Sequence, residues 1–217
     1  MMRMAQASPY GPAFWPTLWL HRWLLGLIFA CFSAPSLAQS PSDDLNAPSI
    51  SIYRLQPIIE QDTLYLNAQT RFKLPNRVKQ AVLHEIPLNF VIQLEVRSRK
   101  SLLGLDFSDT LYQLQFQTTL SYYNFNQKFI LLNQRNKKVK LFDSLQQALE
   151  TLGTFEHFAV MPVDQFTTTQ PTEVRLRIYL DRWQLPAPLT LEALYLSDWS
   201  LDSGWVSRSI DLPLKGL

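Results

Sequence analysis

The stretch PLNFVIQLEVR, Pro87 to Arg97, decides the fold class. Leu88, Phe90, Ile92, Leu94 and Val96 occupy every second position, while Asn89, Gln93, Glu95 and Arg97 stand between them. A β-strand sends successive side chains to opposite faces, so this spacing predicts one dry face and one wet face. That is how a strand reads when its sheet packs on a core with one side only, the usual state of antiparallel sheets.

The same period recurs along the chain on both sides of that stretch. In DTLYLNAQTRFKL (62–74), Leu64, Leu66, Ala68, Thr70, Phe72 and Leu74 share a face against Asn67, Gln69, Arg71 and Lys73. YQLQFQTTLSY (112–122) sets Tyr112, Leu114, Phe116, Leu120 and Tyr122 against Gln113, Gln115 and Gln117. VRLRIYLD (174–181) sets Val174, Leu176, Ile178 and Leu180 against Arg175 and Arg177. Shorter strands are predicted over 50–59, 128–133, 138–142 and 154–161. Two helices interrupt them. SLQQALETLG (144–153) has Ser144 and Gln147 at capping-box spacing, a stripe of Leu145, Ala148, Leu149 and Leu152, and Gly153 as its expected stop. PNRVKQAVLHE (75–85) is the second, ending before Pro87. About nine strands and two short helices make a mainly β chain, an antiparallel β-sandwich or a strongly curled sheet. In QRNKKVK (134–140), Asn136 suits a hairpin turn and the lysines suit an edge strand guarded against unwanted pairing.

The N-terminal 38 residues stand apart. Arg22 precedes the apolar run WLLGLIFACF (23–32), and Ser36 and Ala38 occupy the small-residue positions of a signal-peptidase site. A signal peptide over 1–38, cleaved after Ala38, is the expectation, with an uncleaved anchor or lipidation of Cys31 as alternatives. The run is too short to cross a hydrocarbon layer of about 30 Å unaided. Residues 39–48 read as a polar, flexible linker, and 49–217 as one β-rich domain. The expected location is exported and periplasmic, with membrane association open. Arg3 and Arg22 fall in the leader, so of 20 Lys and Arg residues 18 remain, against 18 Asp and Glu. The basic charge belongs to the leader, and no nucleic-acid partner is expected. The single cysteine lies there too, so the domain must be held by its core.

Counting removes most catalytic constellations. Only Gly104, Gly153, Gly204 and Gly216 follow the leader, too few for a phosphate cradle or a nucleophile elbow. His84 and His157 lack a second ligand at metal spacing, so neither a metal nor a cofactor is expected. SDWSLDSGW (197–205) imitates the start of a calcium loop at Asp198, Ser200 and Asp202, yet Ser203 stands where the sharp turn wants glycine. Trp199, Leu201, Ser203 and Trp205 alternate with Asp198, Ser200, Asp202 and Gly204, which predicts instead a strand with both tryptophans inward. The candidate binding surface is RSRKSLLGLDFSD (97–109). There Arg97, Arg99 and Lys100 form a cationic collar beside apolar Leu102, Leu103, Leu105 and Phe107. Such a tip could dock a protein or touch an anionic membrane. The plainer reading folds the loop back, so that its leucines cap the open end of the sheet.

Three blocks together, IPLNFVIQLEVRSR, LSYYNFNQKFILLN leading into SLQQALETLG, and VRLRIYLDRWQLPAPLTLEALYLSDWSLDSGW, resemble the exported proteobacterial proteins grouped as domain of unknown function 4390. The ending DWSLDSGW carries the resemblance most specifically, at Asp198, Trp199, Leu201, Ser203, Gly204 and Trp205. The resemblance implies no activity. By association alone it implies an inner-membrane partner of the sensor-kinase type. The function expected is therefore a non-enzymatic exported domain that binds a protein or envelope component, with a role in membrane-linked signalling. The alternatives are a carrier or sensor of an apolar ligand held between sheets and, third, a hydrolase.

Overall fold

The computed structural model describes residues 49–102, 105–165 and 171–210. The expected signal peptide with Cys31 and the expected linker lie outside them, as do Leu103 and Gly104 of the hairpin tip. PLNFVIQLEVR becomes most of β3 (Leu88–Leu102), an inner strand of a six-stranded antiparallel sheet. Its neighbours are β4 (Leu105–Tyr123) and β8 (Thr172–Leu180). Outside them lie β5 (Lys128–Asn133) and β6 (Val139–Phe142) on one side and β9 (Val206–Ile210) on the other. A three-stranded antiparallel sheet is formed by β1 (Ser49–Glu60), β2 (Thr63–Lys73) and β7 (Thr154–Pro162), with β2 central.

The two sheets share one core, which makes the fold a sandwich. The predicted inward sets meet there: Leu64, Leu66 and Ala68 of β2 with Leu88, Phe90, Ile92, Leu94 and Val96 of β3 and Val174, Leu176 and Ile178 of β8, all buried. Phe72 meets Phe90 edge-on across the interface, with ring centroids 5.7 Å apart, and Phe116 stacks towards Phe158 of β7. Each buried side chain of this size contributes about 1.5–3 kcal/mol, enough in sum for a core without disulfides.

The helices α1 (Asn76–Leu83) and α2 (Leu145–Gly153) form where their apolar stripes place them, burying Val78, Ala81 and Val82, and Ala148, Leu149 and Leu152. Ser144 accepts the Gln147 N–H at 3.2 Å and caps α2. Gly153 is not the stop that its position suggested, because it is the last helical residue. A Cβ there would lie 2.7 Å from both Phe72 Cε2 and the Thr70 carbonyl oxygen, so glycine permits the helix to approach β2. A third helix, α3 (Ala187–Tyr195), arises where sequence reasoning placed none. Among the described residues no helix is long and apolar enough to cross a membrane.

Connectivity puts all three helices at one end. α1 joins the end of β2 to the start of β3, α2 leads into β7 where Thr154 pairs with Gln69, and α3 follows Leu180, the partner of Phe90. Ser49, where β1 begins, pairs with Lys73 at this same end. The opposite end carries the β1–β2 turn, whose Gln61 and Asp62 both have the positive φ of a tight hairpin, and the β3–β4 hairpin.

Candidate functional site

SDWSLDSGW is not a strand. Ser197–Trp199 forms a 3-10 turn, and the segment then runs irregularly beside β8 before β9 begins at Val206. It is tied on by the Leu180 N–H to Leu201 O and the Ser203 N–H to Ile178 O, both 2.9 Å, and the Ser203 hydroxyl accepts the Ile178 N–H. Trp199 and Leu201 do point inward and are fully buried. Trp205 does not, because the irregular backbone breaks the alternation. It faces the outer side of the sheet, where the Arg175 guanidinium lies 4.6 Å from its ring centroid. Arg175 alternates with buried Val174 and Leu176, which fixes that side as the wet one.

The acids of this segment are used for fastening. Arg177 grips Asp202 with two nitrogens, its Nε donating at 3.0 Å, and Asp202 Oδ1 also accepts the Gly204 N–H at 2.9 Å. Gly204 has φ +62°, a left-handed conformation that glycine adopts without strain. Partial burial acts to raise the Asp202 pKa, but the bonds from Arg177 and Gly204 and the Arg177 charge outweigh it, and the carboxyl ends below its ordinary value. Asp198 lies 3.9 Å from Arg77 of α1. Among the described residues no group of three or more His, Cys, Asp or Glu could hold a metal ion.

The β3–β4 hairpin keeps its strand pairing close to its tip. Its ladder continues through Arg99↔Ser108, Lys100↔Phe107 and Ser101↔Asp106 to Leu102↔Leu105. Flanking support ends earlier, because β8 pairs with β3 only as far as Ser98 and β5 pairs with β4 only over Thr118–Tyr123. The Arg99 N–H still donates to Pro171 O at 2.8 Å, so the last three pairs form a two-stranded ribbon beyond the described flanking backbone, with Phe107 half exposed. The collar is less cationic than its sequence suggested. Arg97 Nε lies 2.9 Å from Glu95 Oε2, and Arg99 donates to Glu173 at 2.6 Å. Two of the three cations are thus matched by acids from the sheet, and the Arg99–Glu173 pair spans 74 residues, which sequence spacing could not reveal.

Both histidines are taken up locally. The His84 Nδ1 lies 2.7 Å from the Gln80 carbonyl at the end of α1, and the His157 ring stacks on Tyr65 at 3.8 Å, its Nε2 4.0 Å from Glu60.

Comparison with protein families matches residues 47–209 to a domain of unknown function, DUF4390. The chain belongs to the DUF4390 family. No curated protein and no solved structure matches it.

Two features of this DUF4390 fold escaped sequence reasoning. A cleft of about 1110 Å³ opens at the helical end between α2, the start of α1 and the end of β2. Its rim carries Arg71, Lys73 and Lys79 against Glu150, an arrangement that attracts anions. The second is the surface of α3. Trp183 is 72% exposed and Tyr195 87%, and Leu191, Leu194 and Leu196 are also exposed. Glu192, the one acid of α3, is turned away from them. Its Oε1 accepts from Trp199 Nε1 at 3.2 Å and from Arg77 Nη1 at 2.6 Å. These bonds, Trp199 first and then Arg77, hold its carboxyl below the ordinary range. A signal was present, since LPAPLTLEALYL (185–196) has more apolar residues than one buried stripe needs and prolines suited to a first helical turn.

Proposed function

We propose that this DUF4390 chain is a non-enzymatic domain of the cell envelope that binds a protein partner through its β3–β4 hairpin. The observation that carries the reading is the ribbon from Lys100↔Phe107 to Leu102↔Leu105, which extends past the described flanking strands and presents Phe107. A two-stranded ribbon that outruns its flanking strands and carries an apolar side chain near its tip suits strand pairing or aromatic anchoring to another chain. The pairing of Arg97 and Arg99 with acids weakens electrostatic attraction to an anionic membrane and so favours a protein as the hairpin's partner. The test is a photoreactive phenylalanine analogue at position 107, irradiated in cells that make the full chain. One adduct of defined mass is expected, formed with an inner-membrane protein. If position 107 yields no adduct beyond that from an equivalent probe at Val139 on the β6 edge, the hairpin is not the docking element.

The sandwich interior does not favour an apolar-ligand carrier. Leu64, Leu66, Phe90, Ile92, Leu176 and Ile178 are at most 1% exposed and fill the space between the sheets.

A further inference from the structure

The helical end carries an exposed apolar surface that the hairpin reading leaves unused. Trp183, Leu191, Leu194, Tyr195 and Leu196 are contributed within fourteen residues by α3 and the turns on either side of it. The most exposed of them stand proud of the surface instead of lining a groove, so they do not form a seat for a small ligand or a partner helix. Two are aromatic side chains with a polar atom at the rim, the kind enriched where hydrocarbon meets headgroups. The acid of the helix is held inward by Arg77 and Trp199, which keeps a carboxylate off the exposed face.

Two further observations say what covers this surface. The chain enters the fold at Ser49, opposite Lys73, at the end that holds the helices. Where the leader is retained as an anchor, its chain joins the described fold at this end and not at the hairpin end. The same end bears the cations Arg71 and Lys79 around the cleft beside α1, which complement anionic headgroups. An apolar, aromatic-rimmed surface flanked by cations is the pattern of an interfacial membrane contact.

We propose that the helical end, through Trp183, Leu191, Leu194, Tyr195 and Leu196, rests in the interfacial layer of an anionic phospholipid bilayer, with the β3–β4 hairpin directed away from it. Every residue of that surface lies at the end opposite the hairpin, so this assignment stands or falls independently of what the hairpin binds.

The test uses the full chain carrying Cys31→Ser, with a nitroxide on Leu194→Cys or, separately, on Tyr195→Cys or Phe107→Cys. Tyr195 is almost wholly exposed, so a label there leaves the core untouched and guards against misfolding at position 194. Collisions with dissolved oxygen and with a water-soluble nickel chelate are measured with and without vesicles of phosphatidylethanolamine and phosphatidylglycerol. With vesicles, positions 194 and 195 should lose nickel accessibility and gain oxygen accessibility, while position 107 keeps its aqueous values. Unchanged accessibility at 194 and 195 overturns the proposal. So does shielding of those positions before vesicles are added, which would assign the surface to the chain's own N-terminal segment or, with dipolar broadening between labels, to a second copy.

Discussion

At the scale of single residues, three positions carry more than their sequence context suggests. Gly153→Ala gains helix propensity but drives a methyl to 2.7 Å from a backbone carbonyl that cannot swing away. Overpacking of this kind costs about 1–3 kcal/mol, so the urea midpoint should fall. Leu201→Ala empties a fully buried site beneath the sheet and should cost about 2–5 kcal/mol in the same measurement. Asp202→Asn weakens the tie to Arg177. Both partners are about one-third exposed, so the loss at neutral pH should be only about 0.5–1 kcal/mol. The sign of its pH dependence follows from the lowered carboxyl pKa. The stabilisation is complete above the pKa of an unfolded aspartate and disappears as pH falls through the folded value. Thermal melts across the acid range should therefore show the wild type losing its advantage over Asp202→Asn as the carboxyl protonates. A constant difference down to the lowest pH would place the stabilisation elsewhere. The Asp202 tie was not visible in SDWSLDSGW, because Arg177 lies 25 residues away and no spacing rule connects it to Asp202.

At the scale of elements, local rules performed well where an element is specified locally. The strands β2, β4 and β8 follow their alternation, β3 keeps its inward set while Val91 and Glu95 on its other face are buried as well, and α2 begins at the serine that its capping spacing indicates. Ser144→Ala should cost about 1 kcal/mol and fray the first turn of α2 in amide exchange. The helix α3 was illegible for a physical reason. Its apolar residues surround it instead of forming one stripe, so it lacks the periodicity by which a half-buried helix announces itself. It is fastened through Glu192 to Arg77 of α1 and to the Trp199 indole. Glu192→Gln should raise amide exchange in α3 at neutral pH while leaving β3 and β8 protected. Because the Glu192 pKa is lowered, the wild-type helix should loosen in the same way only as pH drops below the ordinary glutamate range. If α3 exchanges equally in both proteins at pH 7, the carboxylate is not what holds it.

At the scale of the whole molecule, the sandwich separates two surfaces. Antiparallel connections gather α1, α2, α3 and the chain entry at one end and send the β3–β4 ribbon out at the other. The two proposals use these ends separately, the helices against a bilayer and the hairpin against a second protein. Shortening that ribbon, by joining Ser98 to Asp109 through a two-residue turn, should leave the melting temperature within a few degrees of wild type, since flanking strands pair with little beyond Ser98. The same change should abolish crosslinking to the partner. A large fall in melting temperature would instead mean that the ribbon supports the sandwich.

The sequence by itself determined the mainly β class, the inward sets of β2, β3, β4 and β8, the helices α1 and α2, and the family membership matched over residues 47–209. These are properties of neighbours, set by the two-residue pleat, the helical turn and the caps. Tertiary structure alone decided that Trp205 faces out onto Arg175, that Arg99 is paired with Glu173 across 74 residues, and that the apolar surface of α3 shares an end with the chain entry. Those outcomes depend on which segments lie side by side after packing, and contacts between distant segments leave no period in the chain for a reader to find.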